Sequence, residues 1–158
     1  MVRYKTIGID PGTNIMGFSI LEKNDDKIKV EQFGIIKISN LYSTEKLLHV
    51  YNEVSKLVDK YKPNTLAVET QFLGNNVQSL LKLGRVQGIV ILVGLQYKLS
   101  VKEYSPRTIK KMITGNGSST KEQVAFMVSS LLGIDVEDCK YDSTDALSIA
   151  LCDMMEHD

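Results

Sequence analysis

The stretch Thr6-Ile7-Gly8-Ile9-Asp10-Pro11-Gly12-Thr13 sets the reading of this chain. An apolar run ends on an acid and then breaks at Pro-Gly. Tyr4 to Asp10 therefore reads as a strand, and Pro11-Gly12-Thr13-Asn14 as a turn. A carboxylate at the end of a buried strand is expensive unless something offsets its charge. A second apolar run, Leu66-Ala67-Val68-Glu69, ends the same way. Asp142 and Asp145 stand three residues apart at the start of a helical pattern. Four such acids call for cations, and a divalent metal is the direct answer. With only His49 and His157 present and no Cys-x-x-Cys motif, zinc chemistry is not expected. Oxygen ligands favour magnesium or manganese. Taken singly, three of the acids have plainer readings: Asp10 as a turn acid, Asp142 as a helix N-cap, and Asp145 as its capping-box partner. Glu69 has no such easy alternative.

Outward from these runs, Met16 to Glu22 reads as a second strand. Asn24-Asp25-Asp26 turns the chain into a third, Ile28 to Ile38. Leu47, Leu48, Tyr51, Val54, Leu57, Val58 and Tyr61 then recur at helical spacing, with Pro63 beyond the stop. After the strand Leu66 to Glu69, a long helix is expected from about Asn76 to Tyr97, and a last strand from Val101 to Tyr104. A short helix near Thr108 to Ile113 precedes two closing helices. The first is announced by Ser119-Thr120-Lys121-Glu122, read as a capping box, and the second begins at Asp142. The expected fold is α/β, a mixed five-stranded sheet flanked by helices.

The 158 residues fit one domain, residues 1–158, with no linker or internal repeat. Hydrophobic residues make up 43% and charged residues 24%, as in soluble globular proteins. Cys139 and Cys152 read as free thiols of a reducing compartment. No signal peptide and no membrane span are expected. The net charge is +0, but it is unevenly spread. From Gln78 to Lys121 the basic residues are Lys82, Arg85, Lys98, Lys102, Arg107, Lys110, Lys111 and Lys121, against the single acid Glu103. From Glu122 onward Lys140 is the lone Lys or Arg. A basic middle beside an acidic end suits a nuclease, although such a run is also what a solvated helix face looks like.

These residues, taken in order, resemble the RuvC-type Holliday junction resolvases of the RNase H-like superfamily. Ile7 to Thr13 with Gly17 is similar to the family's first motif. Val68-Glu69, with Phe72, Asn76, Leu80, Lys82-Leu83-Gly84 and Gly88, is similar to the second. Glu103-Tyr104, Arg107, Lys110, Gly115-Asn116-Gly117 and Lys121 to Val124 resemble the third, and Asp142 to Leu147 the last. The resemblance covers almost the whole chain and implies an RNase H-like fold. It also implies that Asp10, Glu69, Asp142 and Asp145 hold two magnesium ions, with manganese a plausible substitute. One departure is visible. Family members often carry His at the position of Asp153, which leaves Asp153 at most a role through a water.

The resemblance further implies that Lys110 and Lys121 hold the cut strand, with Lys121 supporting catalysis. It makes Phe72 a candidate to stack on an unpaired base at the junction. Arg85, Arg107 and Lys111 are expected backbone contacts, which position DNA without reading it. The loop Gly115 to Ser119 offers backbone N–H groups to a phosphate. Gly84 and Gly88 allow close approach of another helix, either within the chain or across the two-fold axis of a homodimer. The implied activity is metal-dependent resolution of four-way DNA junctions by paired symmetric nicks, leaving 5′-phosphate and 3′-hydroxyl ends. A branch-migration motor as partner and the bacterial cytoplasm as location follow from the same likeness. The alternatives are a junction-binding module without catalysis and an ATP-binding fragment of the actin or sugar-kinase type.

Overall fold

The computed structural model describes residues 2–38, 43–70, 76–136 and 141–157. The run ending at Asp10 forms the central strand β1 (Arg3–Asp10). One side of β1 pairs antiparallel with β2 (Ile15–Asn24), which pairs antiparallel with β3 (Lys27–Lys37). The other side pairs parallel with β4 (Thr65–Glu69), and β4 pairs parallel with β5 (Ser100–Tyr104). The order β3-β2-β1-β4-β5 is the expected mixed five-stranded sheet.

Helices cover both faces. On one face, α1 (Ser43–Tyr61) and α2 (Val77–Gln96) enclose Ile7, Ile9, Leu66 and Val68 with Val50, Val54, Val86 and Val90. On the other, α3 (Pro106–Thr114), α4 (Lys121–Leu132) and α5 (Tyr141–Glu156) pack on Leu21, Ala67 and Tyr104. Alternation along the strands does the sorting. Ile7 and Ile9 face α1 and α2, so Thr6, Gly8 and Asp10 face α5. The β1–β4 register pairs Ile9 with Val68, so Asp10 and Glu69 come next, side by side at the ends of parallel strands. Ligands of open α/β sheets bind at such strand ends.

Helix α5 lies antiparallel to β1 and is buried on almost every side from Ser143 to Met154. Small residues beneath it allow this. A Cβ on Gly8 would stand 2.4 Å from the Ala146 carbonyl oxygen, and one on Gly17 would stand 1.9 Å from that of Asp142. Ser19 donates to the Ala146 carbonyl at 2.6 Å. Gly17 is the register partner of Asp10. The contact that seats the first turn of α5 therefore also brings its acids to Asp10.

Several helix starts differ from expectation for local reasons. Helix α3 begins at Pro106 because Ser105 caps it and proline suits the first turn. The α4 capping box is one residue later than read: Thr120 caps, and Gln123 returns the bond. Ser119 is instead buried and bonded to Thr114 at 2.6 Å. Asp142 is not the cap of α5 but lies inside its first turn, since the helix starts at Tyr141. Asn76 is the cap of α2, accepting from the backbone of Gln78 and Ser79.

Substituting Gly17 by alanine forces a methyl into backbone, where overpacking costs about 1–3 kcal/mol or more. The expected result for Gly17→Ala is a lower melting temperature and, if the acids act as the resemblance implies, a larger fractional loss of that activity than of folded protein. Wild-type activity in the folded variant would mean that the α5 contact does not set the site.

Candidate functional site

Asp10, Glu69, Asp142 and Asp145 line one cleft of about 280 Å³, with Lys110 and Lys121 on its rim. Pro11, Pro106, Ile109 and Val124 supply its apolar wall. Three separate chain segments deliver the acids. β1 and β4 bring Asp10 and Glu69 by their parallel register, and α5 brings Asp142 and Asp145 by its seat on Gly17. The three-residue spacing on a helix puts the last two on one side. Ser148 also lines the cleft and fixes the turn by donating to the Asp145 carbonyl at 2.6 Å.

The electrostatics are strained in one direction. Asp10 is 8% exposed. Burial, then the charges of Glu69 and Asp145, a hydrogen bond with Glu69 and the charge of Asp142 push its pKa up to about 9. Burial also raises Asp145; Lys121 opposes that rise, Asp142 adds to it, and Lys110 opposes it. The Lys121 ammonium lies 3.7 Å from Asp145. Acids so close cannot all ionise without a cation. Among the described residues, no group of three or more His, Cys, Asp or Glu side chains is closed around a point as it stands. The donor set nonetheless fits a hard divalent ion, being all carboxylate oxygen with no imidazole or thiol.

Other expected residues fall differently. Arg107 is exposed, with its side chain packed over Gly117, and Lys111 is exposed on α3; neither lines the acid cleft. Arg85 lines a separate cleft with Lys82. Phe72 and Cys139 lie outside the described residues, whereas Cys152 is a buried free thiol.

The loop from Gly115 to Ser119 does not offer the expected row of donors. The N–H of Gly115 goes to Lys111, that of Asn116 to Thr114, that of Ser118 to the Asn116 side chain, and that of Ser119 to the Asn116 carbonyl. Asp153 is also misplaced for a metal role. It is fully buried, accepts from Tyr4 and Thr6, and pairs with Lys102 at 2.9 Å. Eleven residues beyond Asp142, it stands roughly 16 Å further along the helix at 1.5 Å per residue. It ties the far end of α5 to β1 and β5.

What the sequence did not reveal is how α5 is held. Gly8 and Gly17 were visible as residues, and the alternation of Gly8 with Ile7 and Ile9 in β1 was the available signal. That both sit under one helix needed the register.

The raised pKa of Asp10 carries a signed consequence. Between its ordinary 3.8 and about 9, the folded metal-free chain binds more protons than the unfolded chain. Stability from this group is then present at low pH and is lost as pH rises through that window. In chelator, wild type is expected to lose more melting temperature than Asp10→Asn between pH 6 and pH 9. Magnesium is expected to restore wild type more at the higher pH. Parallel melting curves for the two proteins would contradict the repulsion.

A family model described as crossover junction endodeoxyribonuclease RuvC matches residues 6–153. The crossover junction endodeoxyribonuclease RuvC of Chloroherpeton thalassium is 40% identical over 148 residues, covering 93% of this chain and 80% of that protein. The Thermus thermophilus RuvC structure superposes with a TM-score of 0.86 at 27% identity, covering 97% and 95% of the two chains. T. thermophilus RuvC in complex with Holliday junction substrate gives a TM-score of 0.86 at 24% identity, covering 98% and 94%, a likeness of fold.

Proposed function

Because the chain belongs to the RuvC family of crossover junction endodeoxyribonucleases, it is an endonuclease that resolves four-way DNA junctions, and we propose that it works as a homodimer with two magnesium ions per site. The observation that carries the site assignment is the single cleft shared by four acids and two lysines. Its fold is RNase H-like, a mixed five-stranded sheet with five helices among the described residues.

In the proposed site Asp10, Glu69, Asp142 and Asp145 would hold the metal, Asp10 being the most buried of them. Divalent metal bound there, magnesium or manganese, would supply a water of lowered pKa and offset the charge on the leaving oxygen. Lys121 and Lys110 face the same cleft and hold the scissile phosphate as point charges. The Asp145 contact aims Lys121 inward. Hydrolysis joins a water oxygen to phosphorus and breaks the bond to O3′, leaving 5′-phosphate and 3′-hydroxyl ends. Arg107 and Lys111 are proposed to meet backbone phosphates outside the cleft. Phe72, outside the described residues, keeps its proposed role of stacking at the junction core.

The dimer proposal rests on α2. Val77, Leu81, Leu92 and Leu95 are 50% exposed or more, and a Cβ on Gly84 or Gly88 would meet nothing within 4 Å. These six positions follow one another at three- and four-residue steps, the seam of a helix pair. This openness favours the intermolecular reading of the two glycines over packing within the chain. Helix α2 has the length and apolar content to cross a membrane, but Val86, Val90 and Val93 are built into the core. Family membership supports the bacterial cytoplasm, a branch-migration motor as partner, and one nuclease domain over residues 1–158. A junction binder without catalysis has no observation in its favour, since all four acids share the cleft.

Replacing Asp10 by asparagine is expected to slow junction cleavage by about a thousandfold or more, with junction binding retained. Lys121→Ala is expected to lose about a hundredfold in cleavage rate, again with binding retained. Single-turnover cleavage and binding on one synthetic junction measure both effects. An Asp10→Asn enzyme as fast as wild type would remove Asp10 from the metal site.

A further inference from the structure

The turn that follows Asp10 has a second side. Pro11 lines the acid cleft, while Thr13, two residues on, lines a smaller cleft of about 70 Å³ between α1 and α2. Three cations converge there: Lys46 from α1, and Lys82 and Arg85 from α2. Among the described residues no acid lines it; Leu47 and Val86 are the apolar lining. Lys46 is not a free surface lysine. Its ammonium donates to the Thr13 carbonyl at 2.9 Å and reaches the Asn14 side chain at 3.5 Å, which fixes the charge against the turn. Val86 is 3% exposed, so the lining beneath Lys82 and Arg85 belongs to the packed part of α2.

We propose that Lys46, with Lys82 and Arg85, forms a second phosphate site that holds the backbone of the cut strand beside the scissile phosphate. This rests on the endonuclease reading of the acid cleft and adds a place for the strand to go. Three cations about a small concavity select a compact anion, and a phosphate group fits where a planar base does not. Arginine and lysine side by side are well suited to it. Pro11 and Thr13, which line the two clefts, stand at most about 7 Å apart along the chain, so the clefts are neighbours. At 3.4 Å of helix axis per nucleotide on one strand, the site meets a phosphate within about three nucleotides of the cut. Such a contact carries no base identity; it fixes the register of the strand over the acids. Lys46 is therefore a positioning residue and not a catalytic one.

The test uses junctions in which one phosphate near the cut is replaced by a neutral methylphosphonate, moved along three positions on each side. Binding is measured in chelator, and cleavage of the unmodified junction in magnesium. Wild type is expected to lose several-fold in affinity at one or two of these positions. Lys46→Gln is expected to bind the unmodified junction more weakly, to lose no further affinity at those same positions, and to show a salt slope smaller by about one. Lys46→Arg is expected to recover the wild-type pattern. Should Lys46→Gln fail to fold, Arg85→Gln, which removes no hydrogen bond to the turn, is expected to lose sensitivity at the same positions. A wild type that cuts normally beside a folded Lys46→Gln with unchanged affinity and full sensitivity at every position overturns this site and leaves the acid cleft standing. A wild type that cuts no junction in magnesium overturns both.

Discussion

Everything at the acid cleft depends on how closely α5 can approach the β1–β2 pair. The approach is set by what is missing from the strands. Gly8 and Gly17 present no side chain, and Ser19 presents one small enough to bond the helix backbone at 2.6 Å. Gly17 is paired with Asp10, so the backbone of Asp142 rests directly opposite the central acid. At the other end Asp153 is buried against Tyr4, Thr6 and Lys102, an ionic tether whose loss would leave an uncompensated charge. The helix is thus located at both ends along β1. Two carboxylates carried on it are thereby held against two carried on strands.

The consequence is an arrangement unfavourable to the metal-free protein. Asp10 keeps its proton far above the usual carboxylate range because burial and three acids oppose its charge. A chain that only needed stability would not gather acids in this way. Structure elsewhere offsets the repulsion: two apolar cores sandwich the sheet, and one of them closes over β1 and β4 just before their acidic ends. Binding cations is what converts that repulsion into affinity. Lys121 supplies only partial relief, since at 3.7 Å from Asp145 it touches the edge of the acid group. In the proposed reading, the basic residues on either side of the Pro11–Asn14 turn extend the same logic to a polyanionic substrate, drawing its backbone across a site that would otherwise repel it.

Much of this was legible in the residues. Apolar runs ending in Asp10 and Glu69 gave both the strand ends and the suspicion of metal, because alternation and burial cost are local properties. Helix starts were legible only to within a residue. Thr120 rather than Ser119 caps α4, because Ser119 is drawn inward by Thr114, a contact no spacing rule contains. The Gly115–Ser119 loop looked like a phosphate cradle by composition, yet the N–H groups of Gly115, Asn116, Ser118 and Ser119 are taken by Lys111, Thr114 and Asn116. Asp153 looked like a departure at the site, and it is a structural residue at the other end of the helix. The role proposed for Lys46 was invisible in the sequence, since it depends on the turn it touches, 32 or 33 residues earlier in the chain. Tertiary juxtaposition, not residue type, decided each of these.

The most direct measurement is cleavage of a synthetic four-way junction beside a linear duplex of the same sequence, in magnesium and in chelator. Paired, symmetric nicks in the junction alone, and only with magnesium, are the predicted result. Junction cleavage that persists in chelator, or a duplex cut as fast as the junction, would contradict a metal-dependent resolvase built on Asp10, Glu69, Asp142 and Asp145.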